Sequence, residues 1–267
     1  MKNTIIYLFL AASLFLVSCE EVIEIEVNEA DIQLVIEGDL TDENRIHSVK
    51  LSQTGSYFEP GNFPVVEGAT LTLTNASGES ETLNDVGQGV YQIENIKGEV
   101  GETYTLTVGY EGETYEAISS MPSGINLDTL VYNTRPAGPF GEEGIVMIVN
   151  FQDPPGERNY VFFELYLNDE LVEGIFLYDD ATTDGLEEAG FAFFTVSPEP
   201  GDRVRVKALS MDRDVYDYFN TLVEIAGGGF GLGAGSAAPA NPESNFTPQA
   251  LGYFGAFSVS EIEGVVP

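Results

Sequence analysis

The chain has 267 residues, of which 44 are Asp or Glu, 10 are Lys or Arg and one is His, so its formal net charge is −34. A surface this negative repels nucleic-acid phosphates and anionic lipid head groups, which excludes a nucleic-acid-binding protein and a basic membrane-binding surface. The 43% hydrophobic content is sufficient for folded cores and excludes a disordered acidic tail. The single Cys and single His exclude a disulfide scaffold and a zinc site with several such ligands.

The N-terminus has the features of a bacterial export signal. Lys2 precedes an apolar run from Ile5 to Val17, which is shorter than the roughly 20 residues needed to span a bilayer. The run ends in LVSC (16–19), the pattern of a lipoprotein signal, in which the cysteine thiol receives a lipid and cleavage leaves it as the first residue. We therefore predict a lipoprotein signal peptide over residues 1–18 and lipid attachment at Cys19. The alternative is an ordinary secretory signal with a chance cysteine.

Residues 19–30 are predicted to be an acidic tether behind the lipid. Glu20 and Glu21 directly follow the cysteine, and this arrangement resembles the signal that sends Bacteroidota lipoproteins to the outer face of the outer membrane. A solvated acidic leader is the alternative. The expected location is therefore the outer membrane, with the protein lipid-anchored and facing the cell exterior.

Short runs of alternating apolar and polar residues begin after Asp31 and are separated by glycine-rich turns, a pattern that predicts β-strands. Seven strands are predicted in this half: Gln33–Leu40, His47–Gln53, Thr70–Thr74, Glu81–Asn84, Val90–Glu94, Thr103–Tyr110 and Thr114–Ser120. They predict an antiparallel β-sandwich of immunoglobulin type over residues 31–122. Tyr104 is interpreted either as a corner tyrosine or as a plain core aromatic residue.

The sequence MPSG (121–124) breaks the alternation and predicts a domain boundary, because proline donates no ladder hydrogen bond. Residues 123–267 form the second predicted sandwich. One helix is predicted at about 212–226, where apolar residues recur every three or four positions and Asp212 or Asp214 can cap the start. The remaining predicted elements are seven strands: Leu127–Asn133, Ile145–Phe151, Tyr160–Leu167, Leu171–Tyr178, Phe191–Val196, Arg203–Ser210 and Gly252–Val259. The predicted fold class is thus all-β, with two immunoglobulin-like antiparallel β-sandwich domains and one helix in the C-terminal domain.

Several segments, taken in order, resemble a known family. They are CEEVIEIEV (19–27), LVIEGDLTDE (34–43), PVVEGATLTLTN (64–75), GVYQIENIKGEVGETYTLTVGYEGETYEAISSMP (89–122), FQDPPGERNYVFFELY (151–166) and ANPESNFTPQALGYFGAFS (240–258). Together they are similar to the Bacteroidota outer-membrane lipoproteins grouped as domain of unknown function 4249. The resemblance implies a gene beside a TonB-dependent transporter and hence a role in nutrient capture or transport.

Candidate chemistry is sparse. Asp179 and Asp180 with Asp184, or Asp212 with Asp214, have the residue types of a hydrolase pair or of calcium ligands, but solvated loop acids and a helix cap are the favoured interpretation. His47 begins a strand and is not assigned a catalytic role. We therefore predict no enzymatic activity, no catalytic residue, no cofactor and no metal site.

Two binding surfaces are predicted. Arg203, Arg205 and Lys207 alternate with apolar residues and so share one strand face, where they form either an anion subsite or ion pairs with acidic residues of neighbouring strands. The loop from Gly227 to Thr247 is rich in glycine yet carries Phe230, Leu232 and Phe246, which marks these three residues as candidate partner contacts.

The predicted function follows from the location and the resemblance. The protein is expected to be a lipid-anchored cell-surface accessory protein of a TonB-dependent uptake system, binding a nutrient or the outer-membrane transporter itself. The alternative is an adhesion or structural module of the cell envelope, and a hydrolase is a more distant third.

Overall fold

The computed structural model describes residues 31–55, 61–138, 143–186, 188–225 and 241–267. These residues form seventeen strands and one helix, α1 (Arg213–Ile225). The strands in chain order are β1 (Leu34–Thr41), β2 (His47–Gln53), β3 (Thr70–Asn75), β4 (Ser80–Thr82), β5 (Asn84–Asp85), β6 (Val90–Ile93), β7 (Thr103–Tyr110), β8 (Glu113–Ser120), β9 (Asn126–Arg135), β10 (Gly144–Gln152), β11 (Tyr160–Leu167), β12 (Glu170–Leu171), β13 (Phe176–Asp179), β14 (Ala189–Phe193), β15 (Arg203–Met211), β16 (Phe246–Thr247) and β17 (Leu251–Val265). The predicted all-β class with one helix is confirmed.

Besides shifts of a few residues at strand ends, such as Ala189–Phe193 for the strand predicted at 191–196, and the short unpredicted strand β16, the structure differs from the predicted strands in three places. The strand predicted at 81–84 is divided into β4 and β5, because Leu83 between them is buried and bonds to Leu71 across the sheet. The strand predicted at 171–178 is divided into β12 and β13, and Gly174 in the gap has a φ of 150°, a conformation that favours glycine. The last strand continues well beyond the predicted end at Val259.

The strands form three sheets. The largest has nine strands in the order β12-β11-β15-β17-β1-β2-β6-β5, with β13 paired to β11 off this path. The other two have the orders β14-β10-β9 and β16-β8-β7-β3-β4. Every described strand pair is antiparallel except β1 with β17, which run parallel from Val35 opposite Leu251 to Thr41 opposite Phe257.

Two large hydrophobic cores lie against one face of the nine-stranded sheet, and a smaller cluster of Met211, Val215 and Phe257 packs between its other face and the helix. The first is filled by residues of β1 to β8 and includes Met121, whereas the second begins at Ile125 and is filled mainly from β10, β11, β14 and β15. The change of core between 121 and 125 coincides with the predicted boundary at 122. However, Phe246, Ala250, Phe254 and Ala256 fill the first core although they come from the end of the chain. A division of the sequence at 122 therefore separates the first core from two of its own strands, β16 and β17.

β17 is the strand shared by both halves. Its first part, up to Phe257, pairs with β1, and its second part, from Ser258 to Val265, pairs with β15. Consequently one continuous sheet, not a flexible linker, connects the two cores.

Tyr104 has the geometry of a corner tyrosine. Its side chain is 1% exposed, and its hydroxyl group donates to the carbonyl of Lys97 at 3.0 Å and accepts from the amide of Glu99 at 2.7 Å. This bond back to the upstream backbone is typical of immunoglobulin-like sandwiches. Of the two interpretations of Tyr104, the corner tyrosine is confirmed.

Candidate functional site

The outer face of the nine-stranded sheet, which points away from both cores, carries the most site-like feature of the described residues. Alternation places Val161, Phe163 and Leu165 in the second core, so Phe162 and Glu164 of the same strand lie on the outer face. Directly paired residues share a face, and Phe162 is opposite Leu209 of β15. On the first half of the sheet, Glu37 is opposite Tyr253 and Thr41 is opposite Phe257.

A groove of about 310 Å³ lies on this face beside the helix. We call it the aromatic groove, and eight residues line it: Asp39, Arg45, Phe162, Glu164, Leu209, Phe219, Tyr253 and Phe257. A second cleft of about 240 Å³ shares Arg45, Glu164 and Leu209 with it and extends past Thr41, Glu43, Tyr166, Lys207 and Val259. The groove therefore has an aromatic end near the helix and a charged end away from it.

Aromatic rings of the helix and the sheet form the walls at the first end. The ring centroids of Phe219 and Tyr253 are 4.8 Å apart, and those of Phe162 and Phe219 are 5.3 Å apart. Tyr218 lies 4.9 Å from Tyr253 on the other side. Such spacing is typical of favourable aromatic pairs, so the packing fixes the orientation of the rings that line the groove.

Asp212 holds the helix in place over the sheet. Its Oδ1 accepts a hydrogen bond from the amide of Val215 at 3.1 Å, so Asp212 is the N-cap of the helix. Asp212 is one of the two residues that the sequence predicts for this role. Its Oδ2 accepts from the hydroxyl of Ser119 at 2.6 Å, and that hydroxyl accepts from the amide of Ala256 at 2.9 Å. One aspartate thus links the helix to β8 and, through Ser119, to β17.

Charged side chains close the groove on the side of the turn between β1 and β2. The Arg45 guanidinium donates to Asp39 at 2.7 Å and to Glu43 at 3.2 Å, and Lys207 donates to Glu43 at 2.6 Å. Burial raises the pKa of Asp39, but its hydrogen bonds with His47 and Arg45 outweigh burial and lower the pKa below its usual range. These carboxylates are therefore ionised at neutral pH, and Arg45 is already neutralised by its two acidic partners.

Glu164 is the second carboxylate of the aromatic groove. It accepts a hydrogen bond from the hydroxyl group of Tyr166 at 2.7 Å, and the structure places no cationic group of the described residues within 4 Å of it. Burial, together with that hydrogen bond, raises the pKa of Tyr166 to about 12. Burial, with the charges of Asp39, Glu37 and Glu164, likewise raises the pKa of Tyr253.

The buried side chain of His47 contacts the turn between β1 and β2. The imidazole is 2% exposed, Nδ1 accepts from the amide of Thr41 at 3.4 Å, and Nε2 lies 3.3 Å from the carbonyl of Glu43. Both nitrogens hold the turn that carries Arg45.

The predicted anion subsite lies further along the outer face. Arg203, Arg205 and Lys207 do share one face, since Val204, Val206 and Ala208 between them are buried. Each has an acidic partner: Asp169 for Arg203, Glu261 for Arg205 at 3.8 Å, and Glu43 for Lys207. Of the three partners, Glu261 lies on a neighbouring strand, as the alternative interpretation expected, whereas Asp169 and Glu43 lie in turns. A cleft of about 280 Å³ lies between Arg203, Arg205, Asp169 and Glu263, and an anion subsite there stays a prediction.

A separate acidic cluster lies where β10 and β13 end. Asp153, Asp180 and Asp184 bring one carboxylate oxygen each within 4.8 Å of the others, and the first two are buried. The side-chain amide of Asn159 donates to Asp153 at 3.2 Å and to Asp180 at 3.2 Å. Burial, with the charges of Asp180 and Asp184, raises the pKa of Asp153 despite a hydrogen bond from Gly185. Asp180 and Asp184 were considered in the sequence, but Asp153 was not, because it lies about 30 residues earlier.

The predicted partner loop is only partly described. Phe230 and Leu232 lie outside the described residues, as do Cys19, Glu20 and Glu21. Phe246 was expected in the loop as a partner contact, but the structure places it in the first core, 4% exposed, where β16 pairs with β8. The reason is that the described chain re-enters a sheet at this residue, which the glycine-rich composition before it did not indicate.

The family model described as "Domain of unknown function (DUF4249)" matches residues 20–263. The chain belongs to this family. A comparison of this chain with curated proteins finds no match. Among solved structures, it is similar to a crystal structure of the selenomethionine-substituted chicken interferon gamma receptor alpha chain, at 10% identity, over 67% of this chain and 88% of that one, with a TM-score of 0.21. The helix of the described residues is too short and too polar to cross a membrane.

The aromatic groove was not found from the sequence. Its eight lining residues come from β1, the turn after it, β11, β15, the helix and β17, and no segment contributes more than two of them. None of the eight is a serine, cysteine or histidine. The groove thus offers aromatic surface and charged groups for binding.

Proposed function

We propose that this protein is a non-enzymatic, lipid-anchored surface protein that serves an outer-membrane TonB-dependent transporter, and that the aromatic groove holds the nutrient it captures. The observation that carries the proposal is the groove itself: a concave, aromatic-lined site with a few charged groups on the outer face of the largest sheet. Its volume of about 310 Å³ is at the lower end of the roughly 300–1,000 Å³ of small-molecule pockets, which supports a small ligand.

The N-terminal sequence supports the location. The apolar run ending in LVSC (16–19) supplies a lipid acceptor at Cys19, and the acidic surface gives no other means of membrane attachment. The rigid connection of the two cores through β17 supports a role in presenting a fixed surface to a partner, because a shared sheet leaves no hinge between them.

The test is to purify the full-length tagged protein from solubilised outer membrane of a bacterium that carries the gene and to identify the proteins bound to it. The proposal expects enrichment of a TonB-dependent transporter over an unrelated surface lipoprotein carrying the same tag. Enrichment of fimbrial or other structural subunits without a transporter would instead support the cell-envelope alternative and contradict the uptake proposal.

A second measurement tests the anchor. The Cys19→Ser variant lacks the thiol that accepts the lipid, so it should incorporate no labelled palmitate and leave the detergent-rich membrane fraction. Retention in that fraction with continued labelling would contradict lipidation at Cys19.

A further inference from the structure

We propose that the aromatic groove binds small organic cations, namely amines joined to an apolar body. This inference rests on the proposed function only in taking the groove as the ligand site, and it adds the chemical class of the ligand.

Three aromatic rings supply the surface that such a ligand needs. Phe162, Phe219 and Tyr253 line the groove from the sheet and from the helix, and each is half-buried, so part of each ring is open to a ligand. A cation within about 6 Å of an aromatic centroid is attracted by the negative face of the ring. The same rings bind the apolar body of the ligand by removing it from water.

The charges of the groove select a cation over an anion. Two carboxylates line it, Asp39 and Glu164, against one cation, Arg45. Arg45 is paired with Asp39 at 2.7 Å, and Lys207 of the adjoining cleft, directly opposite Glu164 in the sheet, is paired with Glu43 at 2.6 Å. Among the described residues that line the groove and the cleft, Glu164 is thus the carboxylate without an ion-pair partner. Glu37, directly opposite Tyr253 in the sheet, adds a further negative charge beside the groove.

Glu164 is the group that meets the amine. It lines both the aromatic groove and the adjoining cleft, and its one hydrogen bond within the described residues comes from Tyr166 to Oε2. Oε1 is thus left to accept a hydrogen bond from an ammonium group. Charge-assisted hydrogen bonds of this kind are roughly twice as strong as neutral ones, so Glu164 orients the ligand with its amine towards the charged end.

The experiment measures binding of three probes of similar size to the full-length lipidated protein in nanodiscs of zwitterionic lipid, by isothermal titration calorimetry at neutral pH. The probes are phenethylamine, which is cationic, 2-phenylethanol, which is neutral, and 3-phenylpropanoate, which is anionic. We expect phenethylamine to bind at least tenfold more tightly than the anion, with the alcohol between them. Equal or tighter binding of the anion would overturn the proposal.

Glu164→Gln tests the assigned group, because glutamine keeps the size and a carbonyl acceptor for Tyr166 but removes the charge. It should weaken phenethylamine at least tenfold and change the affinity for 2-phenylethanol less than threefold. The matched control is Glu263→Gln, which removes an exposed carboxylate from the same outer face of β17 outside the aromatic groove and should leave phenethylamine binding unchanged. An equal loss in both variants would show a general surface-charge effect and overturn the assignment.

The outcome is separable from that of the proposed function. A transporter that co-purifies with a protein that binds no phenethylamine would refute the cation inference alone. Binding of phenethylamine that depends on Glu164, without any co-purifying transporter, would refute the uptake role and leave the ligand class in place.

Discussion

Gly255 is required by the packing of the groove floor. It lies on the outer face of β17 between Tyr253 and Phe257, and a Cβ added there would lie 2.4 Å from Cζ of Phe257 and 2.6 Å from Cε2. Atoms this close repel strongly, so the Gly255→Ala change has to displace the ring. Phe257 is 2% exposed and Val215 of the helix, 3.2 Å from the added Cβ, is fully buried. The open volume beside the ring is the aromatic groove, which Phe257 lines.

Overpacking of this kind costs about 1–3 kcal/mol of the free energy of unfolding. For a chain of this size, each kcal/mol lowers the melting temperature by about 2–4 °C, so Gly255→Ala should melt roughly 2–12 °C below the wild type. Circular dichroism during heating measures this change. The displaced ring should also weaken phenethylamine binding, which calorimetry at 25 °C measures while the variant is still folded.

A matched control and a double variant separate this clash from a general effect of alanine in a strand. In Gly109→Ala, the nearest atom to the new Cβ is the Thr70 carbonyl oxygen at 3.7 Å, which is an ordinary contact. This variant should therefore be at most about 0.5–1 kcal/mol less stable than the wild type, or more stable than it. Phe257→Leu removes the ring atoms that clash, so Gly255→Ala should cost at least about 1 kcal/mol less in that background. If Gly255→Ala melts like Gly109→Ala, or if the two changes at 255 and 257 are additive, the packing argument is refuted.

Three further predictions concern the export signal, a buried carboxylate and the helix cap. Replacing both Glu20 and Glu21 by Ala should retain the protein inside the cell envelope, so that protease added to whole cells degrades the wild type and spares the variant; equal degradation would contradict the export signal. Burial raises the pKa of Glu81, but hydrogen bonds from the amides of Ile96, Glu94 and Asn95 outweigh it and lower the pKa below its ordinary value of 4.5. Because the pKa is lowered, the ionised carboxylate stabilises the fold above about pH 4.5, and this stability is lost as the pH falls further. Glu81→Gln should therefore be about 1–3 kcal/mol less stable than the wild type at pH 7. In thermal melting, the difference in stability between the two proteins should narrow below about pH 4.5. Asp212→Ala removes the N-cap and the acceptor for Ser119 and should cost about 2 kcal/mol in chemical denaturation, whereas Asp212→Asn keeps an acceptor for Val215 and should cost less.

Three strands that end at clear turns have the first and last residues that the sequence predicts. His47–Gln53, Thr103–Tyr110 and Tyr160–Leu167 have the predicted bounds because each alternates apolar and polar residues and ends at polar or turn-forming residues. The helix starts one residue after its predicted cap, since a capping aspartate followed by apolar residues at helical spacing is a local signal. These elements depend on nearest neighbours in the sequence, which is why the sequence alone is enough to find them.

The pairing of β1 with β17 could not be predicted in the same way. Alternation shows which side chains face a core, but it does not show which of seventeen strands is the neighbour. The continuation of β17 to Val265 did leave a local signal, because Ile262 and Val266 pack in the second core while Glu261 and Glu263 face out. The signal is weak, since the segment SVSEIEGV (258–265) contains few large apolar residues.

The aromatic groove follows from this one non-local pairing. Because β1 lies beside β17, Asp39 and Arg45 from the first half reach Tyr253 and Phe257, and because β17 also pairs with β15, the same site receives Leu209 and, one strand further, Phe162 and Glu164. Asp39 and Phe162, which are 123 positions apart in the sequence (162 − 39), therefore meet on one face only after the last strand has joined the sheet. A variant that prevents β17 from pairing with β1 should thus abolish ligand binding even if the second core still folds. The groove exists only in the completed fold, and for that reason no single segment of the sequence predicts it.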